Sequence, residues 1–325
     1  MIPMPIYNAM LYGPSRLRKQ LATNSTFCKG FAVDAEWKLI QRSIRLDVTE
    51  AYNVYADCKK TILDASDYPQ CVPPWPTSWC EYSVKPEMWI DGQVCQVPQM
   101  HLGCFTFHAD TYNAPPELRT KFTGKLIKEL KLNQPGGFET VEDNVRHVVV
   151  MRHWMLAGGA AIPCDMRLLC LLDASGQLLR WEFLAGNTAR GRNGEFTTND
   201  AAAFFHPMLF AFSLANCKNI VAEEQTAVVD DESYKGRIKA MKKRSYRYHV
   251  LKITGSLTGQ SSEGSGGSAD KAMHICRGNF ARYTDDKPLF GKYTGLFWRP
   301  MHVRGSVKNG VVDKDYAIAT NPTPA

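Results

Sequence analysis

None of the ten cysteines of this 325-residue chain stands in a C-x-x-C pair, which argues against a zinc ribbon or finger. Long apolar runs are missing as well. The most apolar stretch, Ala201 to Ala215, is interrupted by His206 and Pro207 and falls short of the about 20 residues a spanning helix needs. It reads as a core helix, and no membrane partner is expected. H-E-x-x-H, G-x-S-x-G and Walker A patterns are absent, so zincin, hydrolase-elbow and P-loop chemistry lack support. No repeat of fixed period occurs, which removes solenoids and propellers. Met1 to Pro5 has no basic region, and no apolar segment follows it, so the expectation is a cytoplasmic protein with buried thiols. No cofactor and no metal are expected; Cys95, His101 and Cys104 are the nearest thing to a zinc set.

The composition present is that of an ordinary globular protein, 44% hydrophobic and 22% charged. The length fits one large or two modest domains. The net charge of +7 is unevenly spread. Sixteen Lys or Arg against four Asp or Glu between Lys235 and Lys308 give that segment +12 and leave −5 for the rest. Basic residues alternating with aromatics and glycines point to a polyanion partner, RNA ahead of DNA. The plainer alternative is a solvated surface.

The fold class read from the pattern is α+β: a mixed body of helices and short strands over residues 1–222, then a small antiparallel sheet within 223–325. The acidic stretch Glu223 to Glu232 marks the boundary. Phe27 to Val33 and Met88 to Ile90 are strand candidates. Cys71 to Pro76, with three prolines, is an extended surface loop, and Trp75 and Trp79 are expected to pin it to the body. Pro115 and Pro116 open a helix whose apolar stripe runs from Leu118 to Leu130. A second helix is expected from Thr140, although Val145, Val148 and Val149 leave its end ambiguous with a strand. Leu168 to Leu172 and Gln177 to Phe183 form a hairpin about Asp173-Ala174-Ser175-Gly176. A helix around Ala201 to Leu214 gives way to a short strand at Ile220 to Ala222. Beyond the boundary, Arg247 to Ile253, Lys271 to Tyr283 and Gly295 to Gly305 are strands, and 255–270 is a disordered Gly/Ser loop. Leu184 to Gly194 reads as a mobile basic loop. Asp34 and Glu36 share a face but lack the further carboxylates that metal-dependent nuclease chemistry needs.

The candidate chemistry lies near the C-terminus, in His274-Ile275-Cys276-Arg277-Gly278-Asn279-Phe280-Ala281-Arg282-Tyr283, Pro288-Leu289-Phe290-Gly291 and Gly295 through Gly305. In an uninterrupted strand Trp298, His302 and Arg304 share one face, with Phe297, Arg299 and Val303 on the other. Pro300 disturbs that regularity, and His274 and Arg277 need a bulge to reach a common face. Metal-independent RNA cleavage requires a base for the 2′-hydroxyl, an acid for the 5′-oxygen and cations for the transition state. Histidine suits the first two roles near neutral pH, and arginine suits the third. His274 and His302 are therefore the candidate catalytic pair. Arg277, Arg304, Arg282 and Arg299 are the candidate phosphate clamp, with Tyr283 and Trp298 as base-stacking candidates. Ordinary packing of the same residues is the alternative.

The same segment resembles a group of uncharacterised tailed-phage and prophage proteins that carry H-x-x-R-G-H-F, then L-F-G, then W-x-x-x-H-x-R-G. His274 to Phe280, Leu289 to Gly291 and Trp298 to Gly305 match it, with Asn279 where the group often has histidine. Asn216 to Asn219 and Met88 to Ile90 are similar to it more loosely. The resemblance implies a phage origin and a bacterial host cell. It leaves three alternatives: an RNA-directed protein acting as an endoribonuclease, a noncatalytic DNA- or RNA-binding regulator, or a virion-associated component whose partner is a host or phage protein.

Overall fold

The computed structural model describes residues 4–12, 39–58, 68–84, 87–90, 93–96, 99–108, 145–157, 160–185, 190–191, 194–195, 198–229, 234–235, 238–239, 245–253, 272–276, 278–300, 302–304 and 306–311. The expected strand at 27–33, the helix opening at Pro115, the Gly/Ser loop at 255–270 and the acids Asp34 and Glu36 lie outside them. The chain divides into two compact units, Met1–Ile253 and Thr254–Ala325, and its class is α+β.

The larger unit opens with helix α1 (Pro5–Tyr12), followed by β1 (Ile44–Asp47), α2 (Thr49–Cys58), β2 (Thr77–Val84), β3 (Glu87–Ile90), β4 (Gln93–Gln96) and β5 (Met100–His108). It continues through β6 (His147–Ala157), β7 (Ala160–Leu172), β8 (Leu178–Ala185), β9 (Arg190–Gly191), β10 (Gly194–Glu195), α3 (Thr198–Ala215), β11 (Val221–Val228) and β12 (Ser245–Lys252). Eight strands form one mixed sheet in the order β11-β12-β1-β2-β5-β6-β7-β8. β1 is parallel to both neighbours, β12 and β2, while the remaining pairs are antiparallel. The parallel step from β1 to β2 carries α2 in its crossover, as parallel pairing requires.

Helices cover both faces of this sheet, which explains why β5 is buried without interruption from Leu102 to His108. On one face α1 packs against β5, β6 and β7. Every residue of α1 from Ile6 to Tyr12 is buried, so it is a core helix rather than an amphipathic surface one. Pro5 opens it at the position where a missing N–H costs nothing. The buried Glu81 carboxylate then accepts from the backbone N–H of Ile6 (3.0 Å) and of Tyr7 (2.6 Å), satisfying two of the donors that a helix start leaves open. On the opposite face Tyr82 stacks on Tyr52 of α2 with ring centroids 5.0 Å apart, and α2 packs on α3. Among the described residues no helix is long and apolar enough to cross a membrane.

Several expectations are met. Asp173 to Gly176 closes the β7–β8 hairpin, and helix α3 spans the apolar run. Cys71 to Pro76 lacks regular structure, as expected, but Cys71 and Pro73 are buried, so the loop is only partly at the surface. Trp79 is fully buried in β2 instead of pinning a loop, while Trp75 sits 6.2 Å from the His249 ring. The helix expected from Thr140 is corrected where the chain is described, because His147 to Ala157 is strand β6. Val149 and Val150 are both buried there, one toward each face, a setting that favours β-branched residues in strands. Arg190 to Glu195 contains a small antiparallel pair, β9–β10.

The boundary drawn at residue 223 also moves, to Ile253/Thr254. The acidic stretch, in its described part from Glu223 to Val228, lies in strand β11, which pairs along its whole length with basic β12, and Glu224 holds Arg247 at 3.3 Å. The change of composition thus marks two strands with complementary charge. Eight of the sixteen cations, Lys235 to Lys252, consequently belong to the larger unit.

The smaller unit contains β13 (Ala272–Cys276), β14 (Asn279–Tyr283), β15 (Gly295–Arg299), β16 (His302–Arg304) and β17 (Ser306–Val311). β14 and β15 form one antiparallel hairpin. β13 pairs antiparallel with β16 and, across a register shift at Ala272/Met273, parallel with β17. The expected antiparallel sheet is therefore two small sheets, one of them mixed.

Candidate nucleic-acid interface

Pro300 ends β15, and β16 resumes at His302 in the other sheet, so alternation does not run from Trp298 to Arg304. The relationships that do hold come from pairing register. His274 lies opposite Arg304, and Cys276 lies opposite His302. Directly paired positions share a face, as do positions two apart on one strand. The four positions His274, Cys276, His302 and Arg304 therefore fall on one face of β13–β16. Diagonal neighbours such as His274 and His302 are typically about 7–8 Å apart. Arg277 lies outside the described residues.

The hairpin sorts the remaining candidates. Arg282 is exposed on β14, opposite Leu296. The Arg299 guanidinium donates to the Tyr283 hydroxyl and lies 5.3 Å from the centre of its ring, while the Tyr283 and Phe297 rings meet in a T-shaped contact. Tyr283 and Arg299 thus hold each other in a cation–π pair. The stacking role expected of Trp298 is corrected: the residue is 1% exposed, with Gly278 packed against the indole and the Phe280 ring centre 4.8 Å from its own in an edge-on arrangement. It is the core of the hairpin and presents no open ring.

The exposed aromatics are at the hairpin's tip. Thr284 and Lys287 form an isolated bridge, and so do Leu289 and Tyr293, whose backbones exchange hydrogen bonds of 2.7 and 3.0 Å. This closes Phe290-Gly291-Lys292 into a three-residue loop. Phe290 (φ 52°) and Gly291 (φ 69°) both adopt left-handed backbone. That conformation costs a non-glycine residue roughly 1–2 kcal/mol. Phe290 is 73% exposed there and Tyr293 49% exposed, with the Lys292 ammonium 5.2 Å from the Tyr293 ring centre. Lys287 and Lys292 are exposed on the same tip, with Asp285 and Asp286 at its side. In sequence Phe290 reads only as part of a turn. The available signal was an aromatic directly before glycine in a Pro-Leu-Phe-Gly turn.

In the larger unit, Cys71, Cys80, Cys104, Cys170 and Cys217 are buried and form no disulfide. Burial pushes the thiols of Cys71 and Cys217 up to about 12, which keeps them out of nucleophilic chemistry. His101 and Cys104 stand three residues apart on β5 and so point to opposite faces, and the His101 ring bonds the Ser83 hydroxyl at 2.9 Å. These two cannot share a zinc ion. No protein-family model, curated protein or solved structure matches this chain.

Proposed function

We propose that this chain is a phage-type nucleic-acid-binding protein that takes single-stranded RNA in preference to DNA on its C-terminal unit. The observation that carries the reading is the β14–β15 hairpin, where exposed Phe290 and Tyr293 at the tip share one element with exposed Arg282, Lys287 and Lys292. Unpaired bases stack on such rings and phosphates meet such cations, each stacked base contributing roughly 1–3 kcal/mol. A solvated hairpin with no ligand would have no need to hold a phenylalanine outward in left-handed backbone.

The register of β13–β16 favours an endoribonuclease form of this reading. One imidazole of the His274/His302 pair takes the proton of the 2′-hydroxyl as that oxygen bonds to phosphorus. The other protonates the 5′-oxygen as its bond to phosphorus breaks, leaving a cyclic phosphate and a new 5′-hydroxyl. Arg304, opposite His274, is the cation for the charge on the phosphorane-like transition state.

Binding of labelled single-stranded RNA, measured across a salt series, tests the first reading. Affinity should fall steeply with salt, whereas a salt-independent or undetectable interaction overturns it. Incubation of the same RNA in the presence of chelator tests the second. Cleavage should be lost in His274→Ala and His302→Ala while binding persists, and unchanged turnover in both variants removes the acid–base assignment.

A further inference from the structure

The larger unit contains a cavity of about 680 Å³ at the carboxyl ends of the parallel strands β1 and β2, beside the start of α2. Open sheets with parallel strands commonly bind ligands at this end. The volume lies within the range of small-molecule sites. Asp47 and Glu81 are direct neighbours in the β1–β2 register, and both line the cavity. Tyr52, Tyr82 and Tyr248 line it too, with Met4, Pro5 and Val84 supplying apolar wall. Among the described lining residues there is no Lys, Arg or His.

The charge balance makes this cavity more than a gap. Glu81 is 3% exposed, and its three donors are neutral: the amides of Ile6 and Tyr7 and the Trp79 indole N–H at 2.8 Å. Asp47 accepts through Oδ1 from the Thr49 amide at 3.0 Å, another neutral donor. The guanidinium of Arg45, two residues before Asp47 on β1, is directed to the Tyr7 hydroxyl at 2.6 Å and to the carbonyls of Arg247 and Gln41. The lining therefore combines two adjacent carboxylates, three tyrosines and an aliphatic wall, with no side-chain cation of its own. Carboxylates and aromatic faces attract ammonium and guanidinium groups, and the apolar wall suits an alkyl chain.

We infer that this cavity is a binding site for a small aliphatic organic cation, an amine or guanidine, with the half-buried Asp47 as its counter-charge, the buried Glu81 carboxyl beside it and the tyrosines as its walls. The reading is independent of RNA binding, because the residues belong to the larger unit.

Calorimetric titration of the full chain, free of nucleic acid, with 1,4-diaminobutane and with agmatine tests it, using butane-1,4-diol as the neutral counterpart. At least one of the two cations should bind saturably and the diol should not. Asp47→Asn should weaken that binding by about tenfold, and Tyr52→Leu should weaken it several-fold, both with native far-UV dichroism. Neither variant touches the contacts between Glu81 and α1, so each reports on the cavity in a folded protein. Absence of saturable heat with both cations, equal binding of the diol, or unchanged affinity in both variants overturns the inference.

Discussion

Gly278 lies so close to the Trp298 indole that a Cβ at Gly278 would fall 2.6 Å from Cζ2 and 2.9 Å from Cη2. The glycine is required by close approach, and the contact explains why a tryptophan that looks like a base platform in sequence is interior instead. An added methyl has to displace a ring already fixed by Phe280 and by its own strand. Gly278→Ala is expected to destabilise the smaller unit by about 1–3 kcal/mol, as overpacking does. Urea unfolding followed by tryptophan fluorescence should show an earlier transition. An unchanged midpoint would mean that the indole moves without cost.

At the hairpin tip, stability and function should separate. Phe290 contributes little to packing at 73% exposure, and its backbone conformation suits glycine. Phe290→Gly should leave the melting temperature unchanged or raise it, yet cost about 1–3 kcal/mol of RNA affinity if the ring stacks on a base. Phe290→Ala should lose the same affinity and retain the backbone strain. RNA affinity equal to that of the unmodified protein in both variants would assign the tip no part in binding.

What the sequence made legible follows from what is local. The β7–β8 hairpin announces itself through Asp173 and Gly176, where Asp173 Oδ1 accepts from Ser175 and Gln177 and Gly176 takes φ 82°. Helix α3 was visible as an apolar run, and β12 as an alternating one. Helix α1 was not, because it is short, shows no polar face against an apolar one, being buried from Ile6 to Tyr12, and its start is capped from Glu81, far away in sequence. The parallel β1–β2 pair was equally hidden, since β1 is only four residues long and its partners are set by the tertiary fold. At the C-terminus the residue types of the candidate site were readable. Their sorting into an interior tryptophan, a locked Tyr283–Arg299 pair and an exposed tip depends on where Pro300 and Gly278 break the strands.

The turn after α3 provides a test of how the proline-rich loop is held. The Asn216 side-chain amide donates to the carbonyls of Gln70 (3.1 Å), Val72 (2.8 Å) and Phe212 (2.9 Å), tying residues 70–72 to the end of the helix. Asn216→Ala removes the donor and leaves those carbonyls without it, at a cost of about 1–3 kcal/mol. Asn216→Asp should be worse, since a carboxylate cannot donate to them. Limited proteolysis should show faster cutting near Pro73 and Pro74 in both variants, and resistance equal to that of the unmodified protein would show that the loop is held from elsewhere.

Glu81 should make the larger unit sensitive to pH. Burial pushes its carboxyl from an ordinary 4.5 up to about 8, against the downward pull of the Trp79, Ile6 and Tyr7 donors and with a further upward push from Asp47. The other ionisable groups around it are Tyr7 on α1, Arg45 on β1 and Tyr246 on β12, and burial raises both tyrosines above their usual range. A carboxyl whose folded value lies above its unfolded one favours the fold while protonated in both states. That contribution is complete below about 4.5 and is lost progressively as pH rises to about 8, because the unfolded chain releases its proton first. Thermal stability attributable to this group should therefore decline across the window from 4.5 to 8. Glu81→Gln should flatten that decline and lower stability at acidic pH, since its amide N–H₂ cannot accept from the α1 amides as a carboxyl oxygen does. A bound organic cation should oppose the decline by favouring the ionised carboxylate, so diaminobutane should raise the melting temperature more at pH 8 than at pH 5. Equal slopes of melting temperature against pH in Glu81→Gln and the unmodified protein would rule out this carboxyl as the source.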